Sequence, residues 1–384
     1  MKKTFFVVLS LALLLTGCAA DTPEPENTTV TTTAPAPAEP EPVVVVTDEV
    51  KAALDAVLEK HKYEGIVYLT HNGQPVYQWV SGTNDMGQPL TMDSPMYIGS
   101  ISKQFCAAAI LMLRDQGKLS LDDTLEKYFP EYTIGKDITL HNLLSMRSGI
   151  VQDAMLLAEN TDMYAQMPAE ELNSIVLDWI FSQPLRFEQG AKHDYSNVNY
   201  MLLSYVVEQA SGQSYEEFIQ QNICEPLGMP HTGFRNSVME HPEWGLTCEK
   251  VNFALTLGDV AQGCGDLIST AGDMDIWMTA LKSGKVVCEE SYQQMTTDYS
   301  PDKNNPYGYG LMPDIRNGWG HGGADAYYTS GMYFNREYGY NFYIVTNNSP
   351  VITSGGLIFP TGRTDKVSTE LLRILFTATD AANK

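Results

Sequence analysis

The chain has 384 residues, 43% of them hydrophobic, with 47 acidic against 24 basic side chains and a formal net charge of −23. That length and apolar content suffice for one large core or two fused smaller ones, so a globular protein is expected. The charge argues against nucleic acid as a partner, because phosphate backbones are bound by clustered Lys and Arg, and no basic run follows Lys3.

At the N-terminus, Lys2 and Lys3 precede an apolar run over residues 5–15, and Leu15-Thr16-Gly17-Cys18 closes it. The run is short for a bilayer span, and residues 1–18 read as a secretory signal. Its ending resembles the lipobox of bacterial lipoproteins, in which the Cys is diacylated and becomes the mature N-terminus. The resemblance implies a lipid anchor on Cys18, with the rest of the chain in the cell envelope outside the cytoplasm. Residues 19–46 are rich in Pro, Thr, Ala and Glu and contain no aromatic residue. Such a composition cannot bury enough apolar surface to fold. It reads as a disordered tether, reaching roughly 85 Å at about 3.1 Å per residue.

Residues 47–384 read as the folded domain. Thr47 is a candidate N-cap, and Val50, Leu54, Val57 and Leu58 follow at helical spacing. Residues 66–69 and 76–80 alternate apolar and polar side chains around His71-Asn72-Gly73, the signature of a β-hairpin with a type I′ turn. From about residue 104 to 281 helical patterns dominate, as at 201–210 and 215–223. Strands return at 327–334 and 340–346, with a turn near 337–339 and a helix over 366–376. The fold class is α+β: an antiparallel sheet built from both chain ends and flanked by helices, with a mostly helical domain inserted. Apart from Cys18, the cysteines are Cys106, Cys224, Cys248, Cys264 and Cys288, an odd and scattered set with neither disulfide nor metal spacing. Cys106, in the apolar stretch 105–113, reads as a small buried hydrophobe. Neither metal nor cofactor is expected.

Candidate chemistry begins at Ser100-Ile101-Ser102-Lys103, directly before the apolar run 106–113. Three residues apart on a helix means one shared face, so the Lys103 amine comes within reach of the Ser100 hydroxyl, at a helix N-terminus that favours developing negative charge. Ser-x-x-Lys is a weak motif alone. Ser300-Pro301-Asp302-Lys303 also matches, but it lies in a Pro- and Asn-rich loop with no helix after it. Tyr195-Ser196-Asn197 lies at a loop-to-helix junction, where functional side chains are commonly displayed, whereas Tyr333-Phe334-Asn335 alternates within a strand. Of three His-x-Gly matches, at His71, His231 and His321, only His321-Gly322-Gly323 opens a strand after the other two boxes. Its paired glycines would let a ligand approach the strand edge.

In this order the three boxes resemble those of the serine β-lactamase and penicillin-binding protein superfamily, particularly its class C β-lactamase and D,D-peptidase branch. Residues 138–144 through Ser148-Gly149, Pro226-Leu227-Gly228-Met229, and Gly263 through Ser269-Thr270-Ala271 look like the same branch. The resemblance implies that Ser100 forms an acyl-enzyme, that Lys103 and Tyr195 shuttle its proton, and that Asn197 orients the substrate amide. A buried Lys⁺ beside a phenol favours the phenolate, a useful general base. The backbone N–H groups of Ser100 and Ala324 would form the oxyanion hole. His321, with Gly322 and Gly323, would line the site and bind a substrate carboxylate when charged. Lys is usual at that box in β-lactamases, and His is frequent among peptidases and esterases. The expected function is that of a serine hydrolase, hydrolysing D-amino-acid peptides, esters or β-lactams by acyl transfer, with cell-wall peptide first. The alternative is a slow or non-catalytic penicillin sensor or wall-binding protein on the same fold.

Overall fold

The computed structural model describes residues 44–382 apart from 153–160, 236–237, 239–240, 248–249, 252–258 and 355–356. The expected signal, Cys18 and nearly all of the tether lie outside the described residues, as does Cys248. The tether's last residues behave differently from its composition. Val44 is buried and Val46 packs against the same apolar layer, because a run of valines closes the stretch.

Helix α1 (Asp48–Lys60) starts where its cap predicts, with the Thr47 side chain accepting from the Val50 amide. Strands β1 (Gly65–His71) and β2 (Gln74–Ser81) follow as a hairpin. Asn72 and Gly73 both take positive φ, which a two-residue type I′ turn requires. Short β3 (Met96–Tyr97) leads into α2 (Ser102–Asp115). The helical part continues with α3 (Leu140–Leu144), α4 (Ala169–Ser182), α5 (Asn197–Ser211) and α6 (Tyr215–Ile219). Then come β4 (Gly233–Phe234), β5 (Leu267–Ser269), α7 (Ala271–Lys282) and α8 (Glu289–Met295). The chain closes with β6 (Met312–Pro313), β7 (Trp319–Asp325), β8 (Tyr328–Phe334), β9 (Tyr340–Thr346), a hairpin of β10 (Val351–Ser354) and β11 (Leu357–Pro360), and α9 (Arg363–Ala382).

The main sheet runs β2-β1-β9-β8-β7-β6, antiparallel throughout. Its two chain ends meet where β1 pairs β9, with Ile66 opposite Val345. Alternation on these strands splits the core. Val67, Leu69, Phe342 and Ile344 face a layer with Leu54, Leu58, Leu371 and Phe376 of α1 and α9. Ile66, Tyr343 and Val345 face the larger core shared with α2, α5 and α7. Helix α2 is buried nearly all round, which its continuous apolar and alanine run dictates, and Phe105 stacks on Trp277 at 3.9 Å. The two- and three-residue strands β3, β5 and β4 form a separate small sheet that the sequence pattern did not anticipate, being too short for a period to register. Among the described residues no helix is long and apolar enough to cross a membrane.

Candidate active site

Ser100 sits in a single 3₁₀ turn, Gly99–Ile101, between β3 and α2. Three hydrogen bonds clamp this turn. Ile98 donates to the Leu267 carbonyl at 3.1 Å. The Ser102 hydroxyl donates to the Gly99 carbonyl at 2.7 Å and accepts from the Leu267 amide at 3.1 Å. Gly99 has φ +54, and a Cβ there would stand 2.7 Å from the Ala324 nitrogen, so the turn lies directly against β7.

Lys103 is 0% exposed and three residues past Ser100. Its Nζ donates to Asn197 Oδ1 and to the Cys264 carbonyl, both at 2.7 Å, and lies 3.1 Å from Ser100 Oγ. Two of these partners can only accept. A neutral amine would therefore spend both hydrogens on them and turn its lone pair toward the serine hydroxyl, whereas the ammonium donates to all three. Asn197 begins α5, held by its amide to the Gln152 carbonyl at 2.8 Å, while the Ser196 hydroxyl donates to the Val151 carbonyl at 2.7 Å.

Tyr195 projects from the same junction, its ring centroid 4.9 Å from Lys103 Nζ. Its hydroxyl is buried and has no hydrogen-bond partner among the described residues. An unpartnered buried hydroxyl costs free energy, and active sites hold such groups for a substrate or a travelling proton.

His321 lies in the middle of β7 rather than at a strand start, because Trp319 and Gly320 already pair with β8. The imidazole is 3% exposed. Nδ1 donates to the Gly322 carbonyl at 2.5 Å, which leaves Nε2 to accept from the Tyr307 hydroxyl at 3.1 Å. Burial, reinforced by the Lys103 cation, pushes its pKa down to about 3. The expectation of a charged His321 gripping a carboxylate therefore does not match this environment, in which the ring is neutral. The glycine reading also changes. A Cβ on Gly323 would collide with the Ile98 carbonyl and Ser330 Oγ, so this glycine admits the segment leading into the Ser100 turn and not a ligand. Gly322 has more room, its nearest neighbour being 3.6 Å away.

The competing matches are placed elsewhere. The Ser300 hydroxyl donates to the Asp302 carbonyl in an exposed turn, His231 is exposed beside Asp273, and Tyr333 packs on Phe342 within the sheet. Among the described residues no three His, Cys, Asp or Glu side chains are grouped to hold a metal. Sequence reading missed the Cys264 carbonyl, a main-chain acceptor with no side-chain signature. It also missed Tyr307, and a buried Arg235, Asp266 and Asp325 behind Lys103; a lone charge in an apolar stretch, as in Gly265-Asp266-Leu267-Ile268, is the signal that was there to use.

With this geometry in view, the likenesses to known proteins fall into one pattern. A family model described as Beta-lactamase matches residues 50–357. Penicillin-binding protein PbpX of Bacillus subtilis is 31% identical over 265 residues, covering 66% of this chain and 63% of that protein. The chain thus spans less than two thirds of the length of that curated relative. Among solved structures, a D-amino acid amidase from Ochrobactrum anthropi superposes with TM-score 0.70 at 21% identity, covering 86% of this chain and 99% of the other. The penicillin-binding protein homologue from Pyrococcus abyssi gives 0.67 at 24% identity, over 86% and 78%. At these identities the two structures speak for the fold alone.

Proposed function

Because the chain belongs to the β-lactamase family, one of serine hydrolases, we propose that it is a membrane-anchored acyl-transfer enzyme with Ser100 as nucleophile, acting on D-amino-acid peptides, esters or β-lactams. The observation that carries this reading is Lys103, fully buried and held by Asn197 and Cys264 so that its remaining Nζ position faces Ser100 Oγ.

From that arrangement the chemistry follows. Ser100 Oγ attacks the scissile carbonyl carbon while its proton passes to Lys103 Nζ and, through Tyr195, to the leaving group. The carbonyl oxygen gains negative charge as the new C–O bond forms. Backbone N–H groups of Ser100 and Ala324 stabilise it, the turn that carries Ser100 approaching Ala324 so closely that a Cβ on Gly99 would stand 2.7 Å from the Ala324 nitrogen. The bond to the leaving group then breaks, leaving an ester on Ser100. Water admitted afterwards attacks that ester with the same two groups serving as base and acid.

The anchor belongs to this proposal too. It rests on the lipobox-like Leu15-Thr16-Gly17-Cys18 and the Pro-rich stretch after it. Cys18→Ala protein should leave the membrane fraction after a salt wash; retention there would remove the anchor. Catalysis is tested by incubating the protein with a labelled penicillin and with D-alanyl peptides and esters, following both labelling and turnover. Turnover supports an enzyme, and labelling without release supports a slow sensor.

A further inference from the structure

Behind the Lys103 amine lies a charge cluster that the chemistry above leaves unused. Arg235, directly after β4, is 4% exposed. Its Nη2 donates to the Gly265 carbonyl at 3.1 Å and to the Asp325 carboxylate. Its amide donates to the Asp266 carbonyl at 2.7 Å, so one residue holds the turn over residues 263–266 by both main chain and side chain. The Gly263 amide closes that turn onto Asp266 Oδ2 at 3.1 Å. One residue before Gly265, the Cys264 carbonyl receives Lys103. At the other end Asp325, its side chain 2% exposed, is the last residue of β7 and follows Ala324 directly.

We propose that the buried Arg235–Asp325 pair is a positioning device for acyl transfer. It ties the carbonyl that receives Lys103 to the strand end that carries the Ala324 N–H, keeping the proton-transfer group and the oxyanion donor in register. This rests on the serine-hydrolase reading given above.

Stability alone gives little reason for such a pair. Taking two charges out of water costs several kcal/mol per ion, and well-packed apolar residues of similar volume often serve the fold as well or better. What an apolar pair cannot supply is direction. One nitrogen of the planar guanidinium, Nη2, joins a carbonyl of one segment to a carboxylate of another, its two N–H directions fixed in the guanidinium plane. The Tyr97 ring lies 5.1 Å from the guanidinium carbon and limits its movement further. Both segments end within one residue of a group assigned to the chemistry, where a displacement of about 1 Å can cost about a hundredfold in rate.

The test uses the full chain carrying Arg235→Met together with Asp325→Leu, which removes both charges and strands neither. Asp325→Asn, which keeps the shape and a hydrogen-bond acceptor, serves as a milder second variant. Acylation of Ser100 by a labelled penicillin and hydrolysis of a D-alanyl ester are measured beside thermal melting. We expect the double variant to melt cooperatively near the wild-type temperature, with kcat and the acylation rate lowered by about tenfold to a hundredfold and KM little changed. Asp325→Asn should show a smaller loss with the same split. A cooperatively melting double variant, or Asp325→Asn protein, that acylates at the wild-type rate would overturn the proposal and leave the pair structural. Absence of acylation in the wild-type chain would instead remove the hydrolase reading itself.

Discussion

Two layers flank the same sheet and are held by different forces. Behind it, Leu54 and Leu58 of α1 and Leu371, Leu375 and Phe376 of α9 cover Val67, Leu69, Phe342 and Ile344, and burial of apolar surface is the whole of their contribution. In front, Lys103, Arg235, Asp266, His321 and Asp325 are buried as well. Each is retained by specific hydrogen bonds and carries a desolvation cost that the apolar layer never meets. Stability and activity should therefore separate by face: the rear layer supplies free energy, and the front spends part of it on buried polar and charged groups held in place.

The sharpest separation is expected at Ser100. Ser100→Ala should abolish acylation while leaving the melting temperature essentially unchanged, because Ser100 is partly exposed and the turn is clamped by Ser102 and Ile98 instead. Retained turnover would break the assignment. Lys103→Ala and Tyr195→Phe should each lower the acylation rate by about 10²–10⁴-fold, the range for a positioned proton-transfer group. Combining either with the other should cost far less than the product, since the groups act as a unit. Rear-layer substitutions should do the reverse. Leu371→Ala should cost about 2–5 kcal/mol in denaturant unfolding, with the acylation rate per folded molecule unchanged.

Asp266 should show the front face's cost as a pH dependence. Burial raises its pKa from 3.8 to about 7. Between these values the unfolded chain has already lost the proton while the folded chain keeps it. Stability from this group is thus fully present below about pH 4 and falls as pH rises toward about 7, by a few kcal/mol at most. Asp266→Asn, neutral at every pH, should flatten that part of the stability profile. An unchanged profile would mean that Asp266 titrates normally. The smallest expected effect is at His321. With its pKa near 3, the ring stays neutral from about pH 5 to 8, so the ratio of kcat/KM for an anionic to an uncharged substrate should not follow a His titration. A fall through about pH 6.5 would restore the charged, carboxylate-binding His321.

These residues also mark what a single sequence discloses. Ser100 and Lys103 were legible because their relation is local: three residues on one helix face. The hairpin was legible because Asn72-Gly73 specifies its turn, and the strands from the two chain ends because Ile66, Val67 and their partners alternate. Relations across the chain were not. Nothing around Cys264 announces that its carbonyl will meet Lys103, since main-chain acceptors leave no trace in side-chain identity. His321 looked like a candidate cation until Tyr307 and the Gly322 carbonyl enclosed it. Gly323 looked like room for a ligand until the Ile98 turn filled it. Arg235 and Asp325 are 90 residues apart and meet only in the folded chain.

If Ser100 is the nucleophile it becomes covalently acylated, and the adduct can be mapped. The wild-type protein is exposed to a labelled penicillin and to a slowly hydrolysed D-alanyl ester, quenched, digested and sequenced by mass spectrometry. One acyl group is expected, on the peptide holding Ser100, absent from the Ser100→Ala protein. An adduct on another residue, or substrate turnover with no adduct trapped at Ser100 under any quench, would contradict it.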